Sequence, residues 1–328
     1  MEQAAGLPRV LAVGNSKGGV YKTSITAALG GLCAEAGMKV LVVDLDPQGN
    51  LTEDLGLEDI TDEGESTFDA LRRGVALIPQ PAGRDGLDVV CGGRALADAE
   101  QLLPNRGGGA GTDWQHALAV ALQPIADDYD LIVLDCPPRS PNLTVMAVVA
   151  ARYVLIPTKP DKGSRKGMVG MAELFTTARE RNPDLELLGV VLTGIETQAT
   201  AIRAEARATI EDTLGGVAPV METVIRHGTS TSYAVREHGQ LPHEIERVAS
   251  TTEQSTPWWQ TLRERTRKNA EAGAEPAARG PRVVRLPRTR TAAGVAQDYA
   301  DLAREVLDAI ADHENSADGM SPLAEEVQ

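Results

Sequence analysis

Residues 9–24 read RVLAVGNSKGGVYKTS, and the order of properties along them decides the fold. The apolar run 9–14 has the length of a buried strand, and the stretch after it carries glycines and lysines without periodicity up to Lys22-Thr23. A small-residue helical pattern, ITAALGGLCAEAG, follows over 25–37 and stops at Gly37, where a helix C-cap is expected. KVLVVDLDPQGN (39–50) is a second apolar strand that runs into Asp44, Asp46 and a turn. Strand, glycine loop, helix, strand is the opening unit of a parallel sheet.

The alternation continues outward from that unit. Strand-like runs recur at 86–91, 129–135, 152–157, 186–193 and 219–225. Helical patterns separate or follow them at 94–103, 113–126, 141–151, 166–181, 199–214 and near 230–238. Apolar strands without polar alternation must be covered on both faces, so the expected fold is α/β, a doubly wound, mostly parallel sheet flanked by helices. Ligands of such sheets bind beyond the carboxyl ends of the strands, and the glycine loop, Asp44, Asp46 and Asp135 all follow predicted strand ends. They are expected to converge on one edge.

Composition narrows the class. Apolar residues are 42% and charged residues 24%, which excludes wholesale disorder, and the 3% aromatic content requires a core of Ala, Val, Leu and Ile. No apolar run reaches the length of a spanning helix, and the opening MEQAAGLPRV has no basic start before an apolar stretch, so neither a membrane span nor a secretory signal is expected. Cys33, Cys91 and Cys136 are too few and too widely spaced for a disulfide framework or a metal site, which fits a reducing cytoplasm. A formal charge of -15 argues against a protein that coats nucleic acid with its whole surface. One segment runs against that charge: residues 251–294 hold nine Arg or Lys against four Glu, among Pro, Gly and Ala. The organisation expected is a core over 1–250, a basic and partly flexible insert over 251–294, a helix over 295–312 that packs on the core, and an acidic disordered tail over 313–328.

Lys22-Thr23 between a strand and a helix is the arrangement that cradles phosphate. Backbone N–H groups and the helix N-terminus meet the phosphate charge, Lys22 reaches the outer phosphates, and the Thr23 hydroxyl coordinates Mg²⁺. Against the pattern G-x-x-x-x-G-K-[ST], Ser16 stands at the first glycine and Tyr21 at the second. Taken singly, Asp44 and Asp46 also read as turn formers before Pro47, Asp135 as a cap on the Pro137-Pro138 turn, and Lys17 as a solvated loop charge.

Together these motifs resemble the ParA/MinD family of P-loop ATPases. Lys17-Gly18-Gly19-Val20-Tyr21-Lys22-Thr23 is similar to that family's deviant Walker A loop, K-G-G-V-G-K-[ST]. Asp44-Leu45-Asp46-Pro47-Gln48-Gly49-Asn50 is similar to its D-x-D-P-Q-x-N switch segment, and 130–138, DLIVLDCPP, to its Walker B strand followed by Pro-Pro. Weaker echoes lie at 87–103, 224–242 and 299–307. The resemblance implies a Mg²⁺-dependent ATPase with ATP held by Lys17, Gly18, Gly19, Val20, Tyr21, Lys22, Thr23 and Ser24. It implies Thr23, Asp46 and Asp135 around the metal, Asp46 orienting the attacking water, and Asp44 ordering the metal shell. Lys17 and Lys22 complete the catalytic set. The resemblance sends Lys17 across an ATP-dependent homodimer to the partner's nucleotide, where a second positive charge meets the charge of the transition state. Tyr21 departs from the family's glycine, which lets backbone pass the phosphates with no Cβ in the way. Its ring either points away from the nucleotide and leaves binding intact, or sits over it and weakens binding or hydrolysis.

Within the family, the acidic ending ENSADGMSPLAEEVQ lacks the basic, apolar membrane helix of the MinD branch, so no membrane partner is expected. The ParA branch implies a cytoplasmic, nucleoid-associated ATPase for plasmid or chromosome partition. Such a protein binds DNA non-specifically and is released when a ParB-like DNA-bound adaptor stimulates hydrolysis. The DNA-binding candidates are Arg226, Arg236, Arg263, Arg265, Arg267 and Lys268. Two other readings stay open: a non-hydrolysing switch or scaffold in which Tyr21 has disabled turnover, and a family ATPase that positions a protein cargo.

Overall fold

In the computed structural model, which describes residues 6–106, 113–196, 199–215, 219–252 and 290–318, the apolar runs become one eight-stranded sheet. Its strands are β1 (Val10–Val13), β2 (Val40–Asp44), β3 (Gln80–Arg84), β4 (Leu87–Val90), β5 (Leu131–Asp135), β6 (Tyr153–Thr158), β7 (Glu186–Ile195) and β8 (Val220–Arg226). They lie in the order β3-β4-β2-β5-β1-β6-β7-β8, and every pair is parallel except β3 with β4. Strands β1, β2, β5 and β6 are buried along their whole length, as uninterrupted apolar runs demand.

The helices are α1 (Lys22–Glu35), α2 (Asn50–Leu55), α3 (Glu65–Arg73), α4 (Ala95–Arg106), α5 (Ala117–Ala126), α6 (Pro141–Ala150), α7 (Lys162–Ala178), α8 (Thr200–Leu214), α9 (Thr229–His238), α10 (Pro242–Thr252) and α11 (Arg290–Asp318). Alternate strand residues feed two cores. Val10, Ala12, Leu41 and Val43 pack with α4 to α8, while Leu11, Val13, Val40 and Val42 pack with α1 and α11. Helix α1 is sandwiched, which explains its small residues. A Cβ on Gly30 would fall 2.6 Å from Val42 Cγ1, and one on Gly31 would fall 2.3 Å from Leu241 Cδ1. The helix can be this close to both neighbours only because those positions carry no side chain.

Several elements differ from the sequence expectation. Helix α7 starts four residues early because Asp161 caps it, accepting a hydrogen bond from the Ser164 N–H. The first turn of the helix expected at 113 is a 3-10 turn over Trp114–His116. The C-terminal helix extends beyond 295–312 at both ends. Helices α2, α3 and α10 and strand β3 were not expected at all. The edge strand β3, QPAGR, carries a proline and a glycine and is secured from the side. There Arg84 donates to both carboxylate oxygens of Glu244 at 2.7 and 2.9 Å and to the carbonyls of Leu55 and Gly239 at 3.0 and 2.8 Å. The insert expected over 251–294 lies almost wholly outside the described residues, as do the tail's last ten positions.

The chain leaves β1 through α1 towards β2 on one side, and leaves the neighbouring β5 through α6 towards β6 on the other. That reversal opens a crevice at the carboxyl ends of β1 and β5, the place where open α/β sheets bind ligands.

Candidate nucleotide site

Register brings the three motifs together. Asp135 at the end of β5 pairs with Val13 of β1 on one side and with Asp44 of β2 on the other. The loop from residue 14 to Lys22 therefore starts beside Asp135, and the Asp44–Asn50 segment starts on its far side. Asn15, which the sequence reading passed over, sets the loop's entry. Its buried side chain donates to the Pro157 carbonyl at 2.9 Å and accepts from the Lys17 N–H at 2.9 Å. Only an Asn immediately before the glycine-bearing stretch could have signalled this.

Lys22 is 6% exposed and donates to the Lys17 carbonyl at 3.1 Å. Burial lowers its pKa, while Asp135, Cys136 and Asp46 pull it back up. Asp135 is 1% exposed, and burial pushes its pKa up to about 7 against the pull of the Thr23 hydroxyl and Lys22. Among the described residues neither carboxylate oxygen of Asp135 has a hydrogen-bond partner of normal geometry. A buried, orphaned carboxylate beside a threonine hydroxyl and a lysine at a helix N-terminus fits a magnesium phosphate. Among the described residues no group of three or more His, Cys, Asp or Glu side chains could hold a metal ion. A magnesium ion here would take its remaining ligands from phosphate oxygens and water.

The two aspartates of the switch segment have different surroundings. Asp44 is fully buried, and its carboxylate accepts from the Asp46 N–H at 2.8 Å and the Leu51 N–H at 3.1 Å. Burial, with the Asp135 charge added, pushes its pKa well above the usual range. Both of its oxygens accept from backbone, so it orders the 44–51 loop. Asp46 is 8% exposed, and among the described residues its carboxylate accepts from the Gln48 N–H at 2.9 Å, which leaves lone pairs uncommitted.

Lys17 is turned aside from the crevice. Its ammonium donates to Asp161 at 2.5 Å and to the Ser164 hydroxyl at 3.1 Å, at the start of α7. Burial alone would raise the pKa of Asp161, but the hydrogen bonds from Lys17 and from Ser164 outweigh it and hold that carboxylate well below its usual range. Tyr21 caps α1 in the left-handed conformation, φ 71°, and its ring reaches towards the ends of β7 and β8. The hydroxyl lies 2.8 Å from His227 Nδ1, and the Lys159 ammonium sits 5.2 Å above the ring centre. Ser24 donates to Asp54 at 3.4 Å.

Of the expected DNA-binding residues, Arg226 and Arg236 lie among the described residues, and both border the cavity beside α9. Arg226 is taken up inside the fold: its guanidinium donates to both oxygens of Asp298 on α11, each at 2.7 Å. That bidentate pair raises its pKa and ties β8 to α11, so its charge is not free for a phosphate. Arg236 stands 69% exposed on α9. Arg263, Arg265, Arg267 and Lys268 lie outside the described residues.

Asp54, another residue without a signal in the sequence, sits 2% exposed beneath Arg236, whose Nε is 3.9 Å away. Burial pushes its pKa up to about 6 against the pull of Arg236 and Ser24. A carboxyl that holds its proton more tightly when folded loses stability as pH rises from about 4 to about 6, and the loss is constant above that. Asp54→Asn should accordingly be neutral near pH 4 and stabilising by about 3 kcal/mol above pH 6, measured by urea unfolding at both values. An equal effect at both pH values would mean that Asp54 titrates normally.

A family profile for the AAA domain matches residues 8–187, more than half of the chain. The sporulation initiation inhibitor protein Soj of Bacillus subtilis is 34% identical over 58% of this chain and 74% of its own length. The chromosome partitioning protein ParA of Myxococcus xanthus is 33% identical over 58% of this chain and 66% of its own length. Among solved structures, the cobyrinic acid a,c-diamide synthase of Mycobacterium smegmatis with bound ATP analog and magnesium is 33% identical. It superposes with a TM-score of 0.58 over 71% of this chain and 93% of that one. The matched region runs from the phosphate loop through the Walker B strand, and the chain belongs to the AAA domain family, among its ParA/MinD-type P-loop ATPases.

Proposed function

We propose that this chain is a ParA-type partition ATPase: an ATP-dependent homodimer that binds DNA non-specifically and is released when a DNA-bound, ParB-like adaptor stimulates hydrolysis. The observation that carries the reading is the orphaned Asp135 carboxylate facing Thr23 and Lys22 at the sheet's reversal point. A site of that form is costly to maintain without a cationic ligand. Partition relatives such as the Myxococcus ParA supply the cellular context.

In this reading the N–H groups of Gly18, Gly19, Val20, Tyr21, Lys22, Thr23 and Ser24, with Lys17 from the loop's start, surround the phosphates of ATP. Lys22 neutralises their charge, Thr23, Asp46 and Asp135 hold Mg²⁺ directly or through water, and Asp46 orients the attacking water. Bound Mg²⁺ supplies charge stabilisation at the transferring phosphoryl group. Lys17 must leave Asp161 before it can reach a partner's nucleotide. The ring of Tyr21 is engaged by His227 and Lys159 at its far side, which favours a loop still open to phosphate over the scaffold reading.

Among the described residues no helix is long and apolar enough to cross a membrane. DNA would meet Arg236 together with Arg263, Arg265, Arg267 and Lys268, and a nucleoid location follows if it does. The test is DNA binding with and without Mg-ATP across a salt series. Arg236→Ala should weaken binding and lower the salt slope by about one, whereas Arg226→Ala should act on stability. DNA affinity that ATP does not change would end this reading.

A further inference from the structure

Tyr21 holds a backbone conformation that is unfavourable for any residue with a Cβ, at a loop position where glycine would carry no strain. Such a conformation persists when the surroundings hold it in place, and the surroundings here are specific. Beneath the ring and the Lys159 stem lies Gly194 of β7, itself at φ +69°. A Cβ there would sit 3.4 Å from the ring and 3.0 Å from Lys159 Cε. Above the ring is the Lys159 ammonium, and at its tip is His227.

The contact does not stop at His227. Its Nε2 lies 3.1 Å from the hydroxyl of Thr229, the first residue of α9. The residue before it, Arg226, is fixed to α11 through Asp298. The turn 226–229 is therefore tied to three places at once: the phosphate loop, α9 and α11. Helix α9 carries the exposed Tyr233 and Arg236 and borders a cavity of about 470 Å³ that Tyr21, Asp54 and Tyr299 also line. Because one ring nitrogen of a neutral histidine donates while the other accepts, the tyrosine and threonine hydroxyls at its two ends are not independent.

We propose that Tyr21, His227 and Thr229 form a hydrogen-bonded link through which occupancy of the phosphate loop is transmitted to α9, with Lys159 and Gly194 holding the tyrosine ring in place. Tyr21 is then a positioning residue that couples nucleotide to the Arg236 surface, and the proposal rests on the nucleotide-site reading above. A glycine in its place would relieve the strain and cut the link.

The experiment is hydrogen exchange of residues 230–238 in the full chain, with and without saturating Mg-ATP. It compares the wild type, Tyr21→Phe, His227→Ala and the double variant. The wild type should show nucleotide-dependent slowing of about fivefold or more, the lower end of ordinary coupling between sites. Tyr21→Phe, which keeps the ring and loses only the hydroxyl, should reduce that difference to under about twofold, and His227→Ala should do the same. The double variant should lose no more than either single one. A wild-type response retained in Tyr21→Phe, or losses that add in the double variant, would overturn the link. Calorimetric titration of the same samples with Mg-ATP separates the two failures. A wild type that binds no nucleotide refutes the site and the link together, and one that binds with α9 unchanged refutes the link alone.

Discussion

Lys22→Ala should raise the dissociation constant for Mg-ATP by at least about a hundredfold, because removing one partner of a buried, hydrogen-bonded charge set costs about 3–5 kcal/mol. The side chain is 6% exposed and its ammonium stands among Asp135, Asp46 and the loop backbone, where few water molecules could replace it. Without it the phosphates would face two buried carboxylates with one positive charge fewer. The same removal leaves Asp135 without its nearest cation, and a carboxyl already pushed up to about 7 takes up a proton more readily still. The fold should survive, since among the described residues the Lys22 ammonium makes one hydrogen bond, to the Lys17 carbonyl. Calorimetric titration with Mg-ATP measures the effect, and circular dichroism on the same sample checks the fold. Affinity within about threefold of wild type would show that Lys22 does not meet the phosphates, a loss far below the cost of a broken charged hydrogen bond.

The second large effect concerns Lys17. Lys17→Ala should lower ATP turnover by about a thousandfold while changing Mg-ATP affinity much less, the pattern of a charge supplied in the transition state. Its position explains the split: in the single chain the ammonium is bound to Asp161 and Ser164 and leaves the phosphate crevice to Lys22. The Lys17–Asp161 pair is 37% and 46% exposed, so it is worth about 1 kcal/mol or less after solvent screening. A tether that weak holds the lysine aside yet costs little to break. Asp161→Asn should therefore favour ATP-dependent dimerisation by a few-fold, up to about fivefold, in analytical ultracentrifugation. If Lys17→Ala turned over ATP as fast as wild type with DNA and adaptor present, catalysis would need no charge from this residue.

Much of the architecture was legible before any coordinates. Strands β1, β2, β5 and β6 are uninterrupted apolar runs because both faces are covered, and that pattern survives any detail of packing. The elements that escaped notice lack such a pattern. Helix α2 is six residues long, too short to show a helical period, and β3 carries Pro81 and Gly83 at the sheet's edge. Neither is held by local preference: Asp44 organises the start of α2 from within the sheet, and Arg84 secures β3 to α10.

The sequence by itself determined the phosphate loop, the switch segment and the Walker B strand, and that all three follow strand ends. These are properties of residues close together along the chain, where turn chemistry and hydrophobic period act. The tertiary structure alone decided what the charged and aromatic side chains do. It gave Arg226 to Asp298, 72 residues away, and Lys17 to Asp161, 144 residues away. It committed Asp44 to backbone, left the Asp135 oxygens without a hydrogen-bond partner of normal geometry among the described residues, and turned Tyr21 to His227 across 206 residues. A side chain's partner depends on which distant strand ends the sheet order makes neighbours, and local sequence carries no record of that order.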